Sequence, residues 1–293
     1  MTSFEQAIFQ LNTRLGQKMN TCHDNLGQFC VGGESIRISK RLSPAQSKYD
    51  MEVDNNAENA LALSVDDSPT SGQEAEAKNL ICETLAEKTG FEYEEVNQAI
   101  GNWAATSNDN HYGALTMQKD AAELFGTELT DWQKENLNQL EIDKKTTPTF
   151  TNFQLPWNDK SNVSEQNKKF LTAMYEQTQA DFKAKGITEV TLYRGVTLDN
   201  RLVNNFAQGE TIRLENNPLE SWSINPRVAR EFAYPTSSED RRDESRFGIV
   251  LKSTIPVEKI LSNARTGFGC LDEKEFVIIG GKDDTSLIIN MRL

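Results

Sequence analysis

The sequence has few of the residues on which disulfide and metal chemistry depend. Its 293 residues include only four cysteines and two histidines, and no two cysteines form a CxxC pair. A disulfide scaffold of this length needs more cysteines, and a zinc site needs ligands at short, paired spacings. We therefore expect free thiols, no bound metal and no catalytic triad that depends on histidine.

Long apolar runs and an excess of basic residues are also missing. No stretch approaches the roughly 18 consecutive apolar residues of a membrane-spanning helix, and the first residues lack the basic and apolar regions of a Sec signal peptide. The 44 acidic residues outnumber the 31 basic ones, which gives a net charge of −13. Nucleic-acid binding rests largely on lysine and arginine. We expect a soluble protein with neither a nucleic-acid nor a membrane partner.

The common nucleotide-binding loops are absent as well. The chain has no GxxxxGK[ST] sequence, and the glycine-rich stretch 267–272 ends in aspartate with no helical pattern after it. A dinucleotide fingerprint needs a small residue at that last position and a helix that follows. The pattern excludes a P-loop enzyme and argues against a Rossmann enzyme.

Two changes of composition divide the chain. Residues 40–73 are rich in Asp, Asn, Ser, Pro and Ala, which is typical of an acidic linker. We place a boundary near residue 72, so that 1–72 is an N-terminal extension and linker on which the rest does not depend. Apolar residues then recur at helical spacing, which predicts an α-helical lobe over 73–150.

Residues 151–293 form the third unit. A helix is predicted from Ser164 to a terminating Gly186, and alternating, β-branched segments follow. Predicted strands cover 190–196, 211–214, 248–255, 276–279 and 286–291. Because the loops between most of them are short, an antiparallel or mixed sheet is favoured over a doubly wound one. The fold class is α+β.

Three short motifs lie on or beside these strands. Arg194-Gly195 ends an apolar strand pattern, and Glu273-Lys274-Glu275 immediately precedes another. Between them, Ser221-Trp222-Ser223 precedes Asn225-Pro226, which is typical of a helix N-cap followed by proline at the first helical position.

In order and spacing these motifs resemble the arginine, serine and glutamate signature of the R-S-E class of mono-ADP-ribosyltransferases. The resemblance covers about residues 75–293 in architecture and is specific only at the motifs. It implies a split-sheet ADP-ribosyltransferase core with NAD as co-substrate, preceded by the helical lobe. Trp222 departs from the family, which usually has threonine there.

The resemblance assigns the cofactor contacts to the first two motifs. Arg194 would hold the two phosphates of NAD, since a guanidinium makes bidentate, charge-assisted bonds. Gly195 would let main-chain groups meet the nicotinamide amide. Ser221 would brace the catalytic glutamate and the cofactor, with Ser223 beside it. An ion-paired structural role remains the alternative for Arg194.

The glutamates carry the chemistry in the family. Glu275 would stabilise the oxocarbenium-like transition state that forms when the nicotinamide-ribose bond breaks. Glu273 would orient and help deprotonate the acceptor, and glutamate at that position, in place of glutamine, indicates an arginine acceptor.

The resemblance also assigns three further positions. Phe232 would stack on nicotinamide, although core packing is an equal alternative, and residues 234–247, with Arg242, would cover the cofactor. Residues 263–274 would meet the protein substrate. Related toxins carry an aromatic residue where this chain has Cys270, so Phe268 is the candidate for substrate contact.

These features predict a monomeric NAD-dependent protein-arginine ADP-ribosyltransferase, a glycosyltransferase that acts on NAD and a target protein. Resemblance to bacterial effectors and toxins implies secretion without a Sec signal and delivery into a host cytoplasm; otherwise the protein is cytoplasmic. Two alternatives stay open: a transferase that modifies a protein of its own cell, and a partner-binding module that has lost turnover.

Overall fold

The fold is α+β, as the sequence predicts. The computed structural model describes residues 54–105, 112–146, 155–199, 208–214, 216–233, 246–280 and 284–290. Within these ranges the helices are α1 (Asn55–Leu61), α2 (Ser71–Thr89), α3 (Tyr93–Ala105), α4 (Tyr112–Phe125), α5 (Asp131–Thr146), α6 (Val163–Lys185) and α7 (Pro226–Ala233). The strands are β1 (Glu189–Asp199), β2 (Thr211–Leu214), β3 (Leu219–Ser223), β4 (Arg246–Pro256), β5 (Ile260–Asn263), β6 (Glu275–Ile279) and β7 (Asp284–Asn290).

The seven described strands form one sheet in the order β2-β7-β4-β1-β3-β6-β5. Every pairing recorded between them is antiparallel, so the antiparallel alternative is confirmed for this part of the chain. The five predicted strands did not include β3 or β5, which have only five and four residues. The strands β1, β3 and β6 are neighbours, and they carry the three motifs.

Local capping explains where α2 begins and where α2 and α6 end. The Thr70 hydroxyl and the Gln73 side chain form a reciprocal capping box at the start of α2. Gly90 and Gly186 follow α2 and α6 with φ of 68° and 67°, a left-handed conformation that glycine adopts without strain. The helix end predicted at Gly186 is therefore confirmed.

The helical lobe and the sheet share a core. Strands β3 and β6 place alternate side chains on opposite faces, and one face (Leu219, Val277 and Ile279) packs with apolar residues of α2, α3, α4 and α6. The Gln118 side chain of α4 both donates to and accepts from the main chain of Leu219, each at 2.9 Å. The lobe is thus joined directly to the strand that carries the serine motif.

Helix α1 packs on the other face of the sheet, although its residues lie in the segment that the sequence predicts to be linker. Ala57, Ala60 and Leu61 are fully buried in a cluster with residues of β1, β3, β4 and β6. The Asp54 carboxylate caps α1 and also accepts a hydrogen bond from the Thr191 amide of β1. The core therefore begins before residue 72.

Hydrogen bonds hold the same segment against three other parts of the core. The Lys185 amine donates to the Ala60 carbonyl at 3.0 Å, and Arg265 Nε donates to the Leu61 carbonyl at 2.9 Å. The side-chain amide of Asn225 donates to the Val65 carbonyl at 3.3 Å. The sequence gives only a weak helical pattern for α1, because two of its three buried apolar residues are alanines within an acidic stretch.

Gly195 permits α7 to lie directly on β1. A Cβ atom at this position would overlap the carbonyl oxygen of Ala229 and crowd the amide of Ala233. The space beside Gly195 is therefore occupied by α7, which accounts for the glycine without a cofactor contact.

Gly195→Ala should consequently lower the free energy of unfolding by about 3 kcal/mol or more, because main-chain atoms cannot move aside as a flexible side chain can. Gly101→Ala is the matched control, since nothing lies within 4 Å of its added Cβ in α3, and alanine favours a helix by about 0.5–1 kcal/mol. Chemical denaturation of both variants measures the difference. Equal stabilities would contradict the packing role of Gly195.

The described part of the chain contains no helix that is both long and apolar enough to span a membrane. Cys82 is a buried free thiol, as expected. Cys270 is disulfide-bonded, so the expectation of free thiols is wrong for this residue. Its partner is not among the described residues.

Candidate active site

The three motifs meet across neighbouring strands. Ser223 of β3 lies opposite Tyr193 of β1 and opposite Glu275 of β6, while Ser221 lies opposite Val277. Residues directly opposite each other share a face of the sheet, and side chains alternate along a strand. Ser221, Ser223 and Glu275 therefore lie on one face, with Ser221 and Glu275 as diagonal neighbours.

Arg194 approaches the serine motif from the other face, because it is one residue away from Tyr193. Its Nη1 donates to the main-chain carbonyl of Ser221 at 2.9 Å and lies 3.4 Å from Oε2 of Glu220. The two charged side chains are only 2% and 4% exposed. Arg194 thus forms the ion pair that the sequence left open as an alternative, and Glu220 is its partner.

The two nitrogens at the end of Arg194 differ in their surroundings. Nη1 contacts both Ser221 and Glu220, whereas Nη2 is buried and has no hydrogen-bond partner in the described part of the chain. A buried donor without a partner costs about 1–3 kcal/mol and is uncommon in native proteins. Nη2 is therefore the atom of Arg194 that is available to an anionic group.

The two serines of the middle motif also differ. The Ser223 hydroxyl is fully buried, donates to the Glu273 carbonyl at 2.6 Å and accepts from the Asn225 amide at 2.9 Å. It fixes the glutamate turn against the start of α7, and both its bonds are used within the protein. The Ser221 hydroxyl makes no hydrogen bond to any described residue. Ser221 is the one of the pair that can contact a ligand.

Glu275 begins β6 and makes two hydrogen bonds to the main chain of Cys270. Its Oε2 accepts from the Cys270 amide at 2.8 Å, and its own amide donates to the Cys270 carbonyl at 3.1 Å. The residue is 3% exposed. A carboxylate that accepts a main-chain hydrogen bond has a defined orientation, so Glu275 is rigidly placed on the face that carries Ser221.

Lys274 makes the turn that separates the glutamates. It has a φ of 52°, a left-handed conformation that costs a residue with a side chain about 1–2 kcal/mol. Burial lowers the pKa of its amine, while the carboxylates of Asp272, Asp67 and Asp66 oppose that shift. Two of these carboxylates follow α1, so the segment predicted to be linker also reaches the glutamate turn.

Glu273 is an acid of the site whose pKa is clearly perturbed. Burial raises the pKa of its carboxyl well above the ordinary value, and the negative charges of Asp272 and Glu231 raise it further. The side chain is 4% exposed. A carboxylate with a raised pKa is a stronger proton acceptor than an ordinary one, which is the property that a general base near neutral pH needs.

Phe268 is not available to a protein substrate in this structure, which corrects the candidate contact. It is 1% exposed, stacks on Trp103 at 4.6 Å between ring centroids and meets the edge of Phe170 at 5.7 Å. Trp103 belongs to the helical lobe, and Phe170 lies on α6. Phe268 therefore anchors the 263–274 loop to that lobe.

The predicted helix cap and Phe232 belong to α7. Asn225 caps this helix by accepting from the Arg227 amide at 2.9 Å, with Pro226 at its first position, as predicted. Phe232 is on the helix and 7% exposed. Arg242, and residues 234–245 of the predicted cofactor loop, lie outside the described residues.

No group of three or more histidine, cysteine or acidic side chains in the described ranges is placed to hold a metal ion. Comparison of the chain with protein-family models, with curated proteins and with solved structures finds no match. The assignment of a function therefore depends on the residues and their geometry.

Proposed function

We propose that the chain is an NAD-dependent protein-arginine mono-ADP-ribosyltransferase. The observation that supports it best is that Arg194, Ser221 and Glu275, which are far apart in sequence, lie on three adjacent strands. Glu275 is fixed by a main-chain hydrogen bond, and the Ser221 hydroxyl beside it is unused within the described residues. A rigid carboxylate next to an available hydroxyl suits a site that binds a ribose and stabilises positive charge on it.

The residues would divide the reaction as follows. The bond from the ribose to nicotinamide breaks, its electron pair leaves with neutral nicotinamide, and Glu275 stabilises the positive charge that develops on the ribose. A guanidinium nitrogen of the acceptor arginine then forms the new bond to the ribose. Glu273 takes the proton that this nitrogen loses, and its raised pKa suits the role.

Binding of the cofactor would use the atoms that have no partner among the described residues. Arg194 Nη2 would donate to a phosphate oxygen of NAD, and the Ser221 hydroxyl would contact the ribose. Gly195 and Ser223 have structural roles that explain their identity without NAD. Phe232 and Arg242 are further proposed contacts of the cofactor. The acceptor arginine would belong to a target protein in a host cell.

A partner-binding module without turnover is the second candidate, and the Arg194–Glu220 ion pair favours it. A guanidinium that is 2% exposed and already paired is less accessible than one reserved for a ligand. This reading predicts that the site does not process NAD at all.

The test uses the full-length protein and NAD labelled in the adenylate part. We expect release of nicotinamide, with transfer of the label to agmatine, a small guanidine. A lysate of eukaryotic cells followed by mass spectrometry would identify the target and its modified arginine. Absence of both release and transfer, in a protein shown to be folded by circular dichroism, would favour the binding module.

A further inference from the structure

Glu220 contacts the arginine motif and adjoins the serine motif of the proposed NAD site, but it belongs to neither. It immediately precedes Ser221 on β3 and is 3% exposed. Its Oε1 accepts from the Asn217 amide at 3.0 Å, while Oε2 faces Arg194 Nη1 at 3.4 Å. One oxygen is thus hydrogen-bonded to the main chain, while the other faces the guanidinium as its charge partner without a hydrogen bond to any described residue.

The geometry divides the guanidinium into two halves. Glu220 and the Ser221 carbonyl occupy Nη1, and together they restrict rotation of the planar group. Nη2 is then left buried without a partner among the described residues. Because the guanidinium is flat and rigid, fixing Nη1 also fixes the direction in which Nη2 donates.

We propose that Glu220 is a positioning residue that orients Arg194 so that Nη2 donates to a diphosphate oxygen of NAD. The proposal rests on the proposed function and adds to it a residue outside the three motifs. Glu220 does not touch the cofactor. It acts through Arg194, and its carboxylate also keeps the buried guanidinium close to neutral overall when no ligand is bound.

A purely structural ion pair makes a different prediction. Removing one partner of any buried pair leaves an uncompensated charge and lowers stability, so a fall in melting temperature alone does not separate the two roles. A positioning role also changes the affinity for NAD in protein that remains folded, and it does so only while Arg194 is present.

The experiment measures NAD binding by calorimetry and steady-state nicotinamide release with the full-length chain. The variants are Glu220→Gln, Glu220→Asp, Arg194→Ala and the double variant of Arg194→Ala with Glu220→Gln. Glu95→Gln is the matched control, because Glu95 is also a buried carboxylate whose oxygens accept main-chain hydrogen bonds, from Glu92 and Asn158, and it lies in the helical lobe.

Glu220→Gln removes the negative charge that faces the guanidinium and should weaken NAD binding about tenfold, because Arg194 loses the buried charge partner that orients it. It should raise KM more than it lowers kcat. Glu220→Asp keeps the charge and should recover part of the affinity. In the Arg194→Ala background Glu220→Gln should have no further effect, and Glu95→Gln should leave the affinity unchanged.

Two results would overturn the proposal, and they are distinguishable. If the wild-type chain binds NAD but folded Glu220→Gln binds it equally well, or if the effect persists in the Arg194→Ala background, Glu220 does not position Arg194 and the proposed function stands. If the folded wild-type chain does not bind NAD, the proposed function itself fails and the role of Glu220 fails with it.

Discussion

Replacing Glu275 with glutamine should lower the rate of nicotinamide release about a thousandfold while changing NAD affinity little. The amide has nearly the shape of the carboxylate but lacks the charge that faces the developing oxocarbenium ion, so the loss falls on the transition state. The main-chain contact from Cys270 can still be made to the amide oxygen, which keeps the side chain in place. Nicotinamide release at saturating NAD, with binding measured separately, tests this expectation.

Glu273→Gln is the matched variant, because it makes the same chemical change two residues away. It should retain much of the hydrolysis of NAD by water, since Glu275 still stabilises the charge on the ribose. Transfer to agmatine should be lost, because an amide can neither accept the proton of the guanidinium nor pair with its charge. Each variant therefore needs two assays: nicotinamide release without acceptor, and label transfer to agmatine.

The pair of variants can contradict the assignment in two ways. Full activity of Glu275→Gln would remove that residue from the reaction. Two results for Glu273→Gln would show that the glutamates do not divide the reaction as proposed. One is that transfer to agmatine survives, and the other is that hydrolysis of NAD is lost as completely as in Glu275→Gln. The inferred preference for arginine would then lose its support.

Deletion of residues 1–72 should prevent stable folding, contrary to what the sequence predicts for a linker. The deletion removes α1, whose Ala57, Ala60 and Leu61 are fully buried against the sheet. A single Leu61→Ala change should already lower the free energy of unfolding by about 2–5 kcal/mol through the lost burial and the cavity. Domains are stable by only about 5–15 kcal/mol, so loss of the whole helix is of the same size as the total.

Leu80→Ala is the control for the point variant, because the Leu80 side chain on α2 is 60% exposed and the same atoms are removed. It should change stability by less than about 0.5 kcal/mol. Denaturant unfolding of both variants, with circular dichroism of the deletion, measures the difference. A deletion variant that folds and cleaves NAD would show that α1 is dispensable and that the boundary near residue 72 is correct.

Local chemistry in the sequence determined the helix ends and the strand alternation. Gly90 and Gly186 end helices because glycine adopts the left-handed conformation at little cost, and Asn225-Pro226 starts one because the asparagine side chain can satisfy a free amide. These effects involve residues within a few positions of each other. They can therefore be read from the order of the residues.

The motifs were also visible in the sequence, but their surroundings were not. Which face of the sheet Arg194 occupies depends on how β1 pairs with β3, and Ser223 is 30 positions beyond Tyr193, its partner in that pairing. The ion pair with Glu220 follows from that register. No local pattern could select Glu220 from the 44 acidic side chains of the chain.

Packing against distant elements decided the roles of the other residues. Phe268 stacks on Trp103, Gly195 makes room for α7, and Leu61 docks beside strands that begin more than a hundred residues later. In each case the residue type permits several roles, and the choice depends on which distant element lies against it. The sequence by itself determined where the elements form and which residues can do chemistry, whereas the tertiary contacts decided which of those residues are used for packing and which remain available to a ligand.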